Sequence, residues 1–214
     1  MKKYLFVFAA LLICSAAFAQ SYMPQDSYEE VYVKYATKGL KGLEGTENVH
    51  NFNSYSVGYA HGMQIVEDVP VFFAAGVEFQ YITKYTKNDF FETRKHNGYN
   101  FFGTGIPVNF IYMLPLNNSI HFEVNGGINA MYYWTSSFRE DGMEEYDVFC
   151  RTDSHTYDFP QAHRFQAGWN AGIGFQFAHV RLGIQYNQDF TKLMNGDYVK
   201  NRWRSLDFTL GWRF

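Results

Sequence analysis

Ile120-His121-Phe122-Glu123-Val124-Asn125-Gly126-Gly127-Ile128-Asn129-Ala130-Met131-Tyr132 alternates between two kinds of side chain along its whole length. Ile120, Phe122, Val124, Gly126, Ile128, Ala130 and Tyr132 are apolar or small, while His121, Glu123, Asn125, Gly127 and Asn129 are polar or small. Successive residues of a strand point to opposite faces. A period of two with unlike faces is therefore the mark of a β-strand lying between two different surroundings.

The same pattern recurs on both sides of this segment. Phe165, Ala167, Trp169, Ala171, Ile173, Phe175 and Phe177 alternate with Arg164, Gln166, Gly168, Asn170, Gly172, Gly174 and Gln176. Val180, Leu182, Ile184 and Tyr186 alternate with Arg181, Gly183, Gln185 and Asn187. Leu206, Phe208, Leu210, Trp212 and Phe214 alternate with Asp207, Thr209, Gly211 and Arg213. Towards the N-terminus, Val71, Phe73, Ala75, Val77, Phe79 and Tyr81 oppose Gly76, Glu78 and Gln80. Val31, Val33 and Tyr35 alternate with Glu30, Tyr32, Lys34 and Ala36. In the run Tyr55, Val57, Tyr59, Met63 and Ile65, His61 interrupts the apolar face. In Phe102, Thr104, Ile106, Val108, Phe110 and Tyr112, Pro107 faces the other way, so this strand is expected to be bulged or weakly paired there.

Eight strands result, at about 29–37, 53–65, 71–85, 99–113, 119–134, 163–177, 179–190 and 202–214. The connections run long, short, long, short, long, short, long. The short ones are Val66–Pro70, Leu114–Asn118 and Ala178. The long ones centre on Gly39–Gly45, Lys87–Gly98, Thr135–Ala162 and Thr191–Asn201. In an antiparallel up-and-down barrel this places all short turns at one end, as in outer-membrane barrels with short periplasmic turns and longer external loops. The fold class expected is all-β: an eight-stranded antiparallel up-and-down transmembrane β-barrel over residues 29–214.

Composition decides which face is outward. The chain has 214 residues, 20% of them aromatic and only 18% charged. Its mean hydropathy of −0.31 is polar overall. A soluble barrel would place its polar face in water. Such a face normally carries Lys and Glu, yet no lysine occurs between Lys95 and Lys192. The polar faces hold Gly, Asn and Gln instead, which suits a narrow lumen. Aromatics gather near strand ends, as an interfacial girdle requires. Tyr85, Tyr99, Tyr132, Tyr133, Trp134 and Trp203 are expected at the outer rim. Tyr112, Phe122, Phe177, Trp212 and Phe214 are expected at the periplasmic rim. With a net charge of −3, the chain lacks a basic nucleic-acid footprint.

Lys2 and Lys3 precede an apolar run from Tyr4 to Ala19 that ends Ala17-Phe18-Ala19. A basic start, a short apolar stretch and this ending describe a secretory signal peptide over residues 1–19, cleaved after Ala19. A short periplasmic segment, 20–28, then leads into the barrel. Cys150 is the single cysteine after that cleavage point and cannot form an internal disulfide.

Alternation sends Glu30, Lys34, Glu78, Glu123, Arg181, Asp189, Asp207 and Arg213 inward. Eight strands enclose a space that side chains just fill. The expected role is structural, with paired charges and amides closing the barrel. The sharper reading is a gated ion path through the same groups. No catalytic residue, metal site or cofactor is expected. Ser154, His155, Asp158 and His163 match no triad spacing. His50, His61, His96, His121 and His179 show no metal-ligand pairing. The third long loop carries seven acids against Arg139 and Arg151, at spacings unlike a calcium loop.

The last strand, Arg204-Ser205-Leu206-Asp207-Phe208-Thr209-Leu210-Gly211-Trp212-Arg213-Phe214, resembles the C-terminal signal read by the barrel assembly machinery, carried by Phe208, Leu210, Trp212 and Phe214. Three internal stretches, Gly105–Tyr112, Ala167–Phe175 and Arg181–Tyr186, resemble the PorT-like outer-membrane β-barrel family common in Bacteroidetes. The resemblance covers most of the chain after Ala19. It implies an eight-stranded barrel in the cell outer membrane and transfers no active site. Expected partners are outer-membrane lipid and lipopolysaccharide, the assembly machinery during biogenesis, and a protein at the extracellular loops. The alternatives are a lipid-modifying outer-membrane enzyme and a soluble secreted ligand-binding barrel.

Overall fold

Eight antiparallel strands pair in chain order, β1 to β8, and the last closes on the first. They are β1 (Ser27–Lys41), β2 (His50–Val66), β3 (Val69–Lys87), β4 (His96–Asn117), β5 (Ile120–Arg139), β6 (Phe165–Phe177), β7 (Val180–Asp189) and β8 (Arg202–Arg213). The computed structural model describes residues 26–41, 50–67, 69–87, 96–117, 119–139, 149, 162–193 and 202–214. The expected signal peptide, the acidic stretch of the third loop, Cys150, Ser154, His155 and Asp158 lie outside these residues.

Three two-residue turns stand at one end of the barrel, joining β2 to β3, β4 to β5 and β6 to β7. Two of them, β4–β5 and β6–β7, follow from local chemistry. Ser119 donates its backbone N–H to Asn117 Oδ1 at 2.8 Å, an Asx turn. Ala178 takes a positive φ of 52°, as tight hairpin turns demand. Gln176 Nε2 fixes that turn by donating to the Ala178 carbonyl at 2.7 Å. β1 starts and β8 finishes at this same end, where Glu29 and Phe214 exchange backbone hydrogen bonds at 3.0 Å. The longer connections all lie at the other end.

The alternation read from the sequence sorts the two faces. Val33, Tyr55, Val77, Ile106, Val124, Ile128, Trp169, Ile173, Ile184 and Phe208 are exposed on the outer wall. Glu30, Glu78, Gln80, Glu123, Asn125, Asn170, Gln185 and Arg213 are buried inside. This wall is apolar outside and polar inside, the inverse of a soluble domain. His61 lies outward but pairs with Glu29, whose backbone is bonded to Phe214. It therefore sits at the short-turn rim rather than midway up the wall.

Pro107 has the effect expected of a residue that cannot donate. The β3–β4 ladder lapses between Ala75↔Val108 and Glu78↔Gly105, with no change of register. The β4–β5 ladder runs through Pro107↔Asn129 without a break. Register shifts do occur in β4–β5, but at Phe102/Gly103, where Trp134 is the extra residue on β5, and at Pro115/Asn117, where Leu116 is the extra residue on β4.

The wall is uneven in height. β3, β4 and β5 have 19, 22 and 20 residues, while β6, β7 and β8 have 13, 10 and 12. A membrane crossing takes about 9–11 residues per strand. β6–β8 are barely longer than one crossing, whereas β3–β5 continue about twice as far.

Candidate functional site: a filled lumen

All eight inward charges named from the sequence project into the barrel, and they form two layers. The layer nearer the short turns joins five strands. Arg213 on β8 donates Nε to Glu30 Oε2 on β1 at 2.8 Å. Its guanidinium also binds both oxygens of Glu123 on β5 and reaches Gln176 Oε1 on β6 at 2.7 Å. Arg181 on β7 donates to Glu123 Oε2 at 2.7 Å and to Glu30 Oε1 at 3.1 Å. Two guanidinium groups thus meet two carboxylates, and the ring is neutral. β1 and β5 face each other across an eight-strand barrel, so the ring braces its full diameter.

Burying ions is costly unless each is paired and its remaining hydrogen-bonding capacity is satisfied. Arginine suits this position because its planar fork engages two carboxylates at once. Arg213 is fully buried, with its guanidinium carbon 4.4 Å from the centre of the Tyr28 ring. Glu123 is equally buried.

The second layer lies towards the long loops. Lys34 Nζ is 2.6 Å from Glu78 Oε2, which also accepts from Tyr32 Oη at 3.1 Å. Lys38 Nζ donates to Gln80 Oε1 at 2.8 Å, and Tyr133 Oη donates to the same oxygen at 3.1 Å. Asp189 on β7 and Asp207 on β8 are also buried in this layer and line one small cavity with Lys34 and Lys38. Between the layers, Gln185 Nε2 donates to Asn170 Oδ1 at 2.7 Å and to Asn125 Oδ1 at 3.2 Å.

Apolar groups cover both layers. Tyr28, Phe72, Ala74, Ile111 and Met113 pack together at the short-turn side. At the long-loop side Phe52, Ile82, Phe101, Met131, Tyr133, Leu193 and Trp203 form the larger cluster. There the Phe52 and Trp203 rings meet edge to face at 5.0 Å. Among the described residues, two cavities of about 30 Å³ each lie in the lumen, the scale of single waters.

This arrangement corrects the expected outer girdle. Tyr132 and Trp134 do face outward, but Tyr133 and Trp203 are buried in the lumen cluster and Tyr99 packs against it. The side chain of Tyr85 lies outside the described residues. Residue parity explains the three that turned inward. Trp203 shares its face with Asp207 and Arg213, Tyr133 with Asn129 and Met131, and Tyr99 with Phe101. At the other rim Tyr112, Phe177, Trp212 and Phe214 are exposed outward as expected, and Phe122 is half-buried. Phe208, Leu210, Trp212 and Phe214 form one outward stripe down β8.

Sequence reading missed Lys38, because β1 was expected to stop at residue 37. Carrying the alternation of Lys34 and Ala36 one step further would have found it. His179 Nδ1 lies 2.7 Å from the Arg213 carbonyl oxygen, and its ring stacks on Trp212. Among the described residues no three His, Cys, Asp or Glu side chains are placed to hold a metal.

The family model described as "outer membrane protein beta-barrel domain" matches residues 32–195. The chain belongs to this family. Its apolar outer wall is thus the lipid face, its short turns are periplasmic, and its longer connections are extracellular. No curated protein matches the sequence of this outer-membrane barrel. Among solved structures it is similar to Ail, the attachment invasion locus protein of Yersinia pestis, in complex with the heparin analogue sucrose octasulfate (12% identity over 88% of this chain and 99% of that one, TM-score 0.49). It is similar to Neisserial surface protein A (12% identity, 88% and 97% covered, TM-score 0.49). It is also similar to the outer membrane enzyme PagL (10% identity, 85% and 97% covered, TM-score 0.49).

Proposed function

We propose that this outer-membrane barrel is a non-enzymatic scaffold of the PorT-like type, displaying extracellular loops or supporting assembly of the envelope. The observation that carries the reading is the four-centre ring of Glu30, Glu123, Arg181 and Arg213. It pairs these charged groups of the lower lumen with one another. A diffusion pore needs a wetted path, and a lumen-based enzyme needs a vacant pocket beside its reactive group. Among the described residues this interior offers water-sized gaps instead.

The uneven wall supports the display role. β3–β5 rise well above one membrane thickness and so lift the long-loop end of the wall away from the lipid surface. A protein partner at those loops is part of the proposal. So are export by a signal peptide cleaved after Ala19, a short periplasmic segment over 20–28, and recognition of the β8 stripe by the barrel assembly machinery.

The test compares lipid extracts and surface crosslinks from cells with and without the gene. A scaffold leaves the lipid A species unchanged and yields a crosslinked protein partner through the β3–β4 or β5–β6 loop. A lipid A species that disappears with the gene would establish the enzymatic reading instead.

A further inference from the structure

Gly168 on β6 pairs with Asn129 on β5 and with Asp189 on β7, so the three stand side by side on the lumen face of the wall. With no side chain at Gly168, its neighbours lean over it. Where its Cβ would stand, Asp189 Oδ1 is 2.6 Å away, the Gln188 carbonyl oxygen 2.7 Å and Asn129 Oδ1 2.9 Å. All three are acceptors. Asn129 Oδ1 is shielded from solvent and has no hydrogen-bond partner among the described residues. Asn129 and Asp189 also line the cavity of about 30 Å³ in the upper layer. Asp207 lines the same cavity and is 6% exposed, and its Oδ1 likewise has no hydrogen-bond partner among the described residues.

The charges around this cavity do not balance. Among the described residues that line it, Lys34 and Lys38 meet three carboxylates, those of Glu78, Asp189 and Asp207. Lys34 pairs with Glu78 at 2.6 Å, and Lys38 donates to Gln80 at 2.8 Å. Neither lysine is bonded to Asp189 or Asp207, and one negative charge is left over. The ring below is neutral and cancels none of it. Towards the long loops the cavity is bounded by Met131, Tyr133 and Trp203 of the aromatic cluster. A buried charge without a partner is costly. Turning the Asn129 amide end for end would give Asp189 a neutral donor and leave the charge count as it is.

We propose that the upper lumen binds one alkali-metal cation, held by Asp189, Asn129 and the Gln188 carbonyl beside Gly168, with Asp207 facing the same cavity. A single positive charge restores neutrality there, where a divalent ion would overshoot it. The oxygens of one carboxylate, one amide and one carbonyl suit a hard cation and fall short of the about six to eight that calcium takes. A proton on Asp189 would remove the charge but bridge only two of the three oxygens. Two unpartnered donors on the same cavity, Asn187 Nδ2 and Trp203 Nε1, are answered by a water in the ion's shell. The inference concerns the lumen alone and does not rest on the scaffold reading.

The test follows urea unfolding of the refolded full barrel in uncharged detergent by gel mobility, in sodium, potassium or choline chloride at equal ionic strength. Choline is too large for the cavity. Sodium or potassium should raise the midpoint above that in choline along a saturating curve, as mass action at one site requires. Asp189→Asn, which removes the excess charge and keeps the side chain's size, should abolish the rise. Glu67→Gln, at an exposed turn residue, should leave it unchanged. Anomalous diffraction from crystals of the unaltered protein soaked in thallium(I), a heavy mimic of potassium, gives a second reading if the Asn variant does not refold. One peak is expected beside Asp189, and no peak there would overturn the site. Equal midpoints in all three salts, or a rise that survives undiminished in Asp189→Asn, would also overturn it. So would a midpoint in choline that climbs on acidification with no response to sodium or potassium, which would make a proton the occupant. Each of these results leaves the scaffold reading untouched.

Discussion

Arg213 and Glu30 are 183 residues apart in the chain and 2.8 Å apart in the barrel, directly opposite one another where the last strand closes on the first. The barrel seam is thus locked by a charge-assisted bond as well as by its backbone ladder. Removing Arg213 would leave Glu30 and Glu123 buried with Arg181 as their one remaining guanidinium. Arg213→Leu is expected to destabilise the folded barrel by about 3–5 kcal/mol, the loss typical of breaking a buried ion pair. The midpoint of urea unfolding, followed by gel mobility in detergent, measures it. A change within about 0.5 kcal/mol, the range of ordinary surface substitutions, would show that the ring does not brace the seam.

The two faces of β5 predict opposite tolerance to charge. Val124 is exposed to lipid near the middle of the wall, and Asn125 is buried inside, accepting from Gln185. Val124→Arg places a cation among acyl chains at a cost of about 2–4 kcal/mol. Asn125→Asp puts a charge of nearly the same size into the polar lumen, keeps an acceptor for Gln185 and should be milder. Comparing the folded fraction of the two variants in membranes tests the assignment, and the reverse ranking would turn the barrel inside out.

Lumen glycines predict steric failure. A Cβ at Gly58 would lie 2.3 Å from Cζ of Tyr32, whose hydroxyl donates to Glu78. Gly58→Val must push that ring aside and is expected to cost about 1–3 kcal/mol, as overpacking does. The double variant Gly58→Val with Tyr32→Ala should recover part of the loss in the same unfolding assay. No recovery would mean the ring is not what the valine displaces.

The β6–β7 turn predicts a gain. Ala178 sits at φ 52°, where a Cβ is strained. Ala178→Gly relieves that strain against a greater loss of backbone freedom, for a net stabilisation of up to about 1 kcal/mol. A loss of stability would mean that the Ala178 methyl, which is buried, contributes more by packing than its backbone loses.

The lipid itself explains which parts of this fold were legible. Across the acyl band each strand separates hydrocarbon from a polar lumen, and alternation is written into every such segment. Above the band both faces leave hydrocarbon, so the pattern fades. β5 continues through Thr135, Ser136 and Ser137, and β4 starts at His96, with no two-sided signature to announce either extension. Tyr133 and Trp203 lie inward because residue parity, not girdle composition, sets which face a strand residue takes. The inward charges were readable one by one. Their grouping into a neutral ring was not, because it depends on strand stagger and on which side chains reach across the axis.

The most direct test of the filled lumen is the conductance of the purified, refolded barrel in planar lipid bilayers. The account predicts no steady current across the voltage range the membrane tolerates, and the onset of leakage when Arg213→Leu opens the ring. A stable, ohmic conductance from the unaltered protein would contradict it.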